Sequence, residues 1–221
     1  MLSNAKEKLI KSLHTKKGRQ KHDQCLVEGR KVVDMATKYV DFKFTPKDSQ
    51  QFSDLVTTQA PQSVAAVANI PHFSLEDLKK LDVIVVLDGV QDPGNVGAIL
   101  RLCLGFHAGL ILIESADATN PKVIRSSAGA VFKTPWMMVD RKNIESTLKD
   151  IGRRMYRLEK AEEAQELSAI NLDKPCAIIA GSEGNGIQLE TGGQSMYIQH
   201  NSKLESLNVT NAIAITLYKL S

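Results

Sequence analysis

Three polar segments of the chain have residue types and spacings that could do chemistry. The first is DPGN at residues 92–95, which continues into a helical pattern that carries Arg101. The second is GSEG at residues 181–184, whose glycines allow a backbone to approach a ligand closely. The third is SLNV at residues 206–209, where the unpaired N–H groups of a helix beginning at Ser206 could bind an anion or a carboxylate.

Each segment taken alone also has a purely structural interpretation. DPGN is typical of a β-turn followed by an Asn helix cap at Asn95, with Arg101 as a solvated helix residue. GSEG fits a flexible turn, and Ser206 is a good N-cap. The first segment has neither the glycine spacing of a dinucleotide-binding loop nor the Gly-Lys-Ser/Thr of a phosphate loop, which argues against both.

The elements that must position these segments alternate regularly. Near-continuous apolar strands separated by helices favour a mostly parallel sheet with helices on both faces. Ligands of such sheets collect at the carboxyl ends of the strands, where the first two segments lie. The predicted strands are 83–87, 110–113, 136–139, 155–158, 177–180 and 196–198, and the predicted helices are 95–106, 143–152 and 206–219.

The first third of the chain predicts a separate, small α/β unit. A charged helix and turn up to about residue 24 precede a strand at 24–29, and a helical pattern follows at 32–39. Strands are predicted at 40–44 and 63–68, and residues 69–74 form a plausible linker. Helix-start chemistry at Ser74 and Asp77 places the boundary near residue 78, which gives domains 1–78 and 79–221.

A basic arm lies within this small domain. Between Lys6 and Lys21 the arm contains a single acid, Glu7. Such clusters bind phosphate backbones by Coulomb attraction and counterion release. A solvated helix face that only maintains solubility explains the same pattern equally well. The candidate RNA-binding residues are Lys16, Lys17, Arg19, Lys21 and Arg30.

Composition excludes several classes of protein. With 221 residues, 43% hydrophobic and 24% charged, the chain has ordinary globular values. Its apolar runs fall far short of the roughly 18 residues that a membrane span needs, and its N-terminus lacks the pattern of a signal peptide. A cytoplasmic protein with no membrane partner is therefore expected. Cys25, Cys103 and Cys176 are interpreted as buried reduced thiols, and no metal site is predicted.

Taken together and in this order, the three segments closely resemble the SpoU (TrmH-like) family of RNA ribose 2′-O-methyltransferases in the SPOUT superfamily. The resemblance covers residues 81–221 and includes NPKVIRSSAGA at 120–130 and FKTP at 132–135. The basic arm and LVEGR at 26–30 look like the start of the family's ribosomal-protein-L30e-like RNA-binding domain, in a shortened form.

The resemblance implies a fold, a cofactor and a set of site residues. It implies a deep trefoil knot in the C-terminal domain, a homodimer, and S-adenosylmethionine bound in a bent form largely by backbone atoms, with no metal. It assigns Gly181, Ile198 and Leu207 to the cofactor, with Thr134 nearby. Its candidate catalytic residues are Arg101, Asn95, Glu183, Ser206 and Asn208.

One departure from the family pattern lies beside the expected cofactor pocket. Gln199 and His200 stand where the family usually has proline and methionine, so the loop regains an N–H and loses rigidity. The expected reaction is methyl transfer to a ribose 2′-hydroxyl of structured RNA, with ribosomal RNA slightly preferred over transfer RNA. The alternatives are an RNA-binding protein without catalysis and an RNA base methyltransferase.

Overall fold

The N-terminal region folds around a three-stranded antiparallel sheet. In the computed structural model, which describes residues 1–58 and 60–221, this sheet has the order β1-β3-β2 once its strands are numbered along the chain. The strand predicted at 40–44 is confirmed with the same bounds, and those predicted at 24–29 and 63–68 are confirmed with shifts of one or two residues. The elements are α1 (Asn4–Ser12), α2 (Lys16–His22), β1 (Gln24–Glu28), α3 (Arg30–Met35), β2 (Val40–Phe44), α4 (Phe52–Leu55), β3 (Ala65–Asn69) and α5 (Leu75–Lys79).

Side-chain caps explain where two of these helices begin. The Thr15 hydroxyl accepts from the Gly18 N–H at 3.1 Å and starts α2. The predicted helix start at Ser74 is confirmed as a full capping box, because Ser74 and Asp77 accept each other's backbone N–H groups. These caps satisfy N–H groups that would otherwise have no partner at the helix N-terminus.

The remainder of the chain builds a seven-stranded sheet in which every neighbouring pair of strands is parallel. In chain order its strands are β4 (Val83–Asp88), β5 (Ala108–Ile113), β6 (Trp136–Met138), β7 (Arg154–Leu158), β8 (Gln165–Glu166), β9 (Cys176–Gly181) and β10 (Gln194–Tyr197). The helices are α6 (Pro93–Gly105), α7 (Pro121–Ser126), α8 (Arg141–Ile151) and α9 (Val209–Leu220). The spatial order of the strands is β6-β5-β4-β9-β7-β10-β8.

Helices cover both faces of this sheet, as predicted. Alternate residues of β4 point to opposite faces, so Val85 joins a core with α6 and α9, whereas Ile84 joins a core with α8. All six residues of β4 are buried. Burial on both faces explains why this strand has a continuous apolar sequence in place of an alternating one.

Two helix starts differ from the prediction. The first helix of the sheet region is capped by Asp92, not by Asn95, because Asp92 accepts from the Asn95 N–H at 2.9 Å and Pro93 occupies the first turn. The last helix begins at Val209 with Asn208 as its cap, so the expectation that Ser206 caps it is wrong. In both cases the Asn or Asp side chain next to the helix makes the capping bond.

The two sheets share a continuous apolar core. Val27 and Val33 of the N-terminal region pack in one cluster with Val123 and Ile124 of α7. Gly129 lies so close to α3 that a Cβ there would stand 2.6 Å from the Cβ of Met35. The N-terminal region is therefore fixed against the parallel sheet, although residues 70–74 between them are irregular.

Two further sequence expectations concern the interior and the membrane. Cys25, Cys103 and Cys176 are buried free thiols, and burial raises the pKa of Cys103 to about 12. Among the described residues, no helix has both the length and the apolar character needed to cross a membrane.

Candidate active site

A polar cluster joins the carboxyl ends of β4 and β9 to the start of α9. The Asn208 Nδ2 donates to Glu183 Oε1 at 2.8 Å and to Asn95 Oδ1 at 3.1 Å. The Thr210 hydroxyl also donates to Asn95 Oδ1, at 3.3 Å. The structure thus brings together Asn95, Glu183 and Asn208, three of the five residues predicted to be catalytic, which come from three separate segments.

The Asn208 side chain forms hydrogen bonds through both its amide oxygen and its amide nitrogen. Its Oδ1 accepts from the Thr210 N–H at 3.0 Å and caps α9, which leaves the Nδ2 to donate to Glu183 and Asn95. The cap fixes the side-chain orientation, so the donor direction is set before any substrate binds. Thr210 was not singled out from the sequence, although its place two residues after Asn208 at a helix start was a usable signal.

Arg101 lies two turns into α6, about 9 Å along the helix axis from Asn95. Its side chain is exposed, and it forms no hydrogen bond or ion pair with the residues that the structure describes. The guanidinium therefore has all its donors open to solvent. A planar donor fork of this kind matches phosphate oxygens.

Glycine at position 181 is required by the loop itself. A Cβ on Gly181 would lie 2.0 Å from the carbonyl carbon of Gly186, where the chain folds back through the bridge between Ser182 and Gly186. The Ser182 hydroxyl accepts from the Asn185 N–H at 3.2 Å and closes the turn. This tight loop presents Glu183 at its tip.

A buried carboxylate beneath the loop was missed by the sequence reasoning. Asp88 ends β4, is 1% exposed, and accepts from the Gln188 N–H at 2.6 Å and from Arg141 at 2.7 Å. Arg141 also pairs with Glu114, and these two acids raise the pKa of its guanidinium. An Asp directly after a buried apolar strand was the available signal, and its role is to tie the 181–188 loop to the sheet.

A cavity of about 510 Å³ opens beside the polar cluster. Two of the four predicted cofactor residues, Ile198 and Leu207, line it, as does Ser206, which has no hydrogen-bond partner among the described residues. Gln199 and His200 form part of the wall, and His200 Nδ1 donates to the Ile198 carbonyl at 2.7 Å. The volume falls within the ~300–1,000 Å³ range of small-molecule sites.

The other two predicted cofactor residues do not line this cavity. Gly181 shapes the neighbouring loop instead. Thr134 is 1% exposed and donates to the Leu100 carbonyl of α6 at 3.2 Å, and its place near the cofactor stays a prediction. A threonine after a short 3-10 turn packs against the helix here because its hydroxyl satisfies a buried carbonyl.

The basic arm divides into exposed and buried cations. Lys16, Lys17 and Lys21 lie exposed on α2, and Arg30 lies exposed at the start of α3. Arg19 is 3% exposed, so its prediction as an RNA-binding residue is wrong. Burial removes its guanidinium from solvent and from any RNA.

The Arg19 guanidinium binds the parallel-sheet region instead. It pairs with Asp117 at 2.6 Å, and it donates to the Thr119 hydroxyl and to the Leu13 and His14 carbonyls. Burial raises the pKa of Asp117, but the bonds from Arg19 and Thr119 outweigh this effect and leave that pKa below its ordinary value. Arg19 therefore joins the two sheets.

The described residues contain no group of three or more His, Cys, Asp or Glu side chains that could hold a metal ion. The polar cluster consists of amides, a hydroxyl and one carboxylate, which are groups that form hydrogen bonds.

Comparison with known proteins gives consistent matches over the whole chain. The model of the SpoU rRNA Methylase family matches residues 82–218. The 23S rRNA (guanosine(2553)-2′-O)-methyltransferase RlmP of Bacillus subtilis (strain 168) is 33% identical, and the match covers 98% of this chain and 96% of that protein. The 23S rRNA (guanosine-2′-O-)-methyltransferase RlmB of Ralstonia nicotianae is 28% identical over 97% of this chain and 95% of its own.

A solved structure extends the similarity to three dimensions. The AdoMet-bound rRNA methyltransferase from Sinorhizobium meliloti superposes with a TM-score of 0.87 at 24% identity and covers 99% of this chain and 95% of that one. The shared fold includes the N-terminal sheet, because so little of either chain lies outside the match.

Proposed function

Because this chain belongs to the SpoU rRNA Methylase family, we propose that it transfers a methyl group from S-adenosylmethionine to a ribose 2′-hydroxyl of ribosomal RNA. The observation that carries the proposal is the cluster of Asn95, Glu183 and Asn208 at the carboxyl ends of the strands. Chain continuity connects this cluster to the cavity, since Ser206 and Leu207 line the cavity and Asn208 follows them directly.

The cavity suits S-adenosylmethionine in size and in lining. It is about 510 Å³ in volume, and its wall combines apolar Ile198 and Leu207 with polar Ser206. Ile198 and Leu207 would hold the cofactor, and Gly181 would shape the adjacent loop. When bound, the cofactor supplies an electrophilic methyl group on a good leaving group, so little covalent help from the protein is needed.

The protein's own residues then bind and orient the acceptor. Arg101 holds an RNA phosphate and donates to the 2′-hydroxyl oxygen, and its positive charge stabilises the negative charge that develops there while the hydroxyl proton passes to water. A literal base role is disfavoured because arginine stays protonated. Asn95 orients the ribose, Glu183 and Asn208 keep Asn95 in place, and Ser206 hydrogen-bonds at the pocket edge.

The RNA substrate follows from the relatives and from the surface charge. The two curated relatives described above are named as 23S rRNA methyltransferases, which favours ribosomal over transfer RNA. Lys16, Lys17, Lys21 and Arg30 supply the exposed cations for the RNA backbone. The 2′-hydroxyl itself distinguishes RNA from DNA. We place the activity in the cytoplasm.

The proposal includes the architecture that is typical of the family. Residues 1–78 form a shortened L30e-like RNA-binding domain, and residues 79–221 form a SPOUT domain with a deep trefoil knot. Strand order supports this view, because β9 lies between β4 and β7 and the chain must therefore cross back over the sheet before α9.

A homodimer completes the proposed enzyme. On α9, Ile215 is 43% and Tyr218 75% exposed, which leaves an apolar face beside α6. Sedimentation of the wild type should give a dimer, and Ile215→Glu should give a monomer. Lys149→Glu, on the exposed face of α8, is the control and should stay dimeric. A monomeric wild type would contradict this part of the proposal.

One experiment tests the reaction. The protein is incubated with labelled S-adenosylmethionine and unmodified 23S rRNA transcribed in vitro, and alkali-resistant linkages are mapped, because 2′-O-methylation blocks alkaline cleavage. We expect one protected linkage. Label in the RNA without a protected linkage would indicate base methylation, and RNA binding without cofactor binding by calorimetry would indicate a non-catalytic protein.

A further inference from the structure

A second cavity, of about 490 Å³, lies between the basic helix α2 and the parallel sheet. Lys16 forms one wall, and the carboxyl ends of β5 and β6 with the first turn of α8 form the other. We name this cavity the interdomain groove. It is separate from the cofactor cavity, with which it shares no lining residue.

Two lysines in the groove have no partner of their own. Lys16 and Lys142 are exposed, line the groove from opposite domains, and form no hydrogen bond or ion pair with the described part of the chain. The third cation, Arg141, is held by Asp88 and Glu114. Free ammonium groups on two walls of one groove suit a phosphate, to which lysine binds as a point charge.

The carboxylates of the groove restrict where a phosphate can lie. Glu114 is occupied by Arg141, which lowers the pKa of the Glu114 carboxyl. Asp140 is exposed and lies two positions before Lys142 in the sequence. A phosphate is therefore expected between the two ammonium groups, away from Asp140.

The groove also has an apolar surface. Met138 lines it and is 42% exposed, which makes it one of the few large apolar side chains left open to solvent. A flexible, polarisable thioether packs well against flat rings. A ligand with one phosphate and one ring, which is a nucleotide unit, fits both features.

The groove adjoins the active site through a single turn. Ser115 of the groove accepts from the Val90 N–H at 3.0 Å, and the Gln91 side chain donates to the Glu114 carbonyl. Residues 89–91 lead directly into Asp92 and α6, which carries Asn95 and Arg101. Arg141 and Asp88 connect the same wall to the 181–188 loop that presents Glu183.

We propose that the interdomain groove binds a nucleotide of the RNA substrate that neighbours the methylated one, with Lys16 and Lys142 on its phosphate and Met138 against its base. This inference rests on the proposed function. Lys142 would be an RNA-binding residue in the catalytic domain, and the Arg19 to Asp117 pair would be the contact that holds Lys16 at the correct distance from it.

The test compares two double variants, K16A/K142A and K8A/K149A. Lys8 and Lys149 are exposed lysines on α1 and α8 outside the groove, so the control removes the same charge from the same two regions. Binding of unmodified 23S rRNA is measured by filter binding over a salt series without cofactor. Calorimetry with S-adenosylmethionine and thermal unfolding report on the integrity of each variant.

We expect K16A/K142A to weaken RNA binding about tenfold near physiological salt, and to make the slope of log K against log salt shallower by about 0.8, as for one lost phosphate contact. K16R/K142R should restore most of the affinity, because the charges return. The defect in methyl transfer should appear in KM for RNA more than in kcat. Cofactor affinity should stay within about twofold, since the groove and the cofactor cavity are separate.

Equal RNA affinity and equal salt slopes for the two double variants would contradict the proposal that the groove binds a nucleotide. If both also methylate the RNA normally, the proposed function stands without it. If the wild type methylates no RNA, the proposed function fails. The RNA-binding comparison still tests nucleotide binding in the groove, because that measurement needs no cofactor.

Discussion

Two polar clusters of this molecule use similar residues for opposite purposes. Around Arg19 and Asp117 the charges are buried, and every nitrogen of the guanidinium donates. Around Asn95 and Asn208 the side chains are exposed or half-buried, and Arg101, two turns into α6, has no protein partner among the described residues. The first cluster holds two sheets together, and in the proposed function the second leaves the Arg101 donors free for a substrate.

The difference teaches that burial, more than residue type, decides what a polar side chain does. A buried charge is stable only when it is fully paired and hydrogen-bonded, so its bonding capacity is already used within the fold. An exposed arginine loses little by having no partner, because water solvates it until a ligand replaces the water. Each prediction below tests one side of this contrast.

The largest effect is expected for Arg101→Ala. Single-turnover methyl transfer should fall about a thousandfold, or about 4 kcal/mol in transition-state free energy. Calorimetry should show unchanged cofactor affinity, and the free energy of unfolding should shift by less than about 0.5 kcal/mol because the side chain is exposed. Lys149→Ala is the matched surface control. Methyl transfer at the wild-type rate would show that Arg101 has no role in the reaction.

Arg19→Met should have the opposite profile. Removing one partner of a buried pair leaves Asp117 uncompensated, and the free energy of unfolding should fall by about 3 kcal/mol in urea titrations. Below its melting temperature, the variant should still bind S-adenosylmethionine. Wild-type stability together with lost RNA affinity would mean that Arg19 contacts RNA after all.

The same pair predicts a dependence on pH. The pKa of Asp117 is lowered in the fold, so its carboxylate stabilises the protein above its unfolded pKa of about 3.9, and this contribution is lost as the pH falls through the lower folded value. Asp117→Asn should therefore be less stable than wild type at pH 7, and the gap should narrow below about pH 4. A gap that is constant down to pH 2 would argue against a charged pair.

Asn208→Asp separates the cap from the donor. Asp is as good an N-cap as Asn, so the free energy of unfolding should change by less than about 1 kcal/mol. The donor to Glu183 and Asn95 is lost, and methyl transfer should fall about 30-fold, or about 2 kcal/mol. Asn208→Ala should lose both properties. If the Asp variant transfers normally, the amide cluster is only structural.

The smallest effect is expected for Ser206→Ala. Since Ser206 does not cap α9, the free energy of unfolding should change by less than about 0.5 kcal/mol. Removal of a true cap would lower it by about 1 kcal/mol. Cofactor affinity should weaken by no more than about fivefold, the value of one modest hydrogen bond. A stability loss of the size of a cap would restore the interpretation of Ser206 as a helix start.

The strands could be predicted because their burial is recorded locally in the sequence. Residues 83–87 and 177–180 are continuous apolar runs, and they form β4 and β9 with extensions of one residue at one or both ends. In contrast, β8 has only the two residues Gln165 and Glu166, and pairing with β10 is its sole distinguishing feature. A two-residue strand leaves no periodic pattern to detect.

Family resemblance selected residues of the candidate site, but the sequence did not predict the contacts among them. Asn95, Glu183 and Asn208 were chosen through family resemblance, and their mutual hydrogen bonds emerge only in three dimensions. Arg19 was misassigned because its partner Asp117 lies 98 positions away, so its burial has no local signal. The bond from Thr134 to the Leu100 carbonyl is also long-range and has no local signal in the sequence.

The most direct test measures the rate of methyl transfer and the stability of the fold in variants of the two arginines. Single-turnover methyl transfer to 23S rRNA, with RNA and cofactor saturating, is measured beside urea unfolding for Arg101→Ala and Arg19→Met. We predict that Arg101→Ala loses about a thousandfold in rate at full stability, whereas Arg19→Met loses about 3 kcal/mol of stability but keeps its rate within about tenfold. Equal losses of rate in the two variants, or a stable Arg19→Met, would contradict the account.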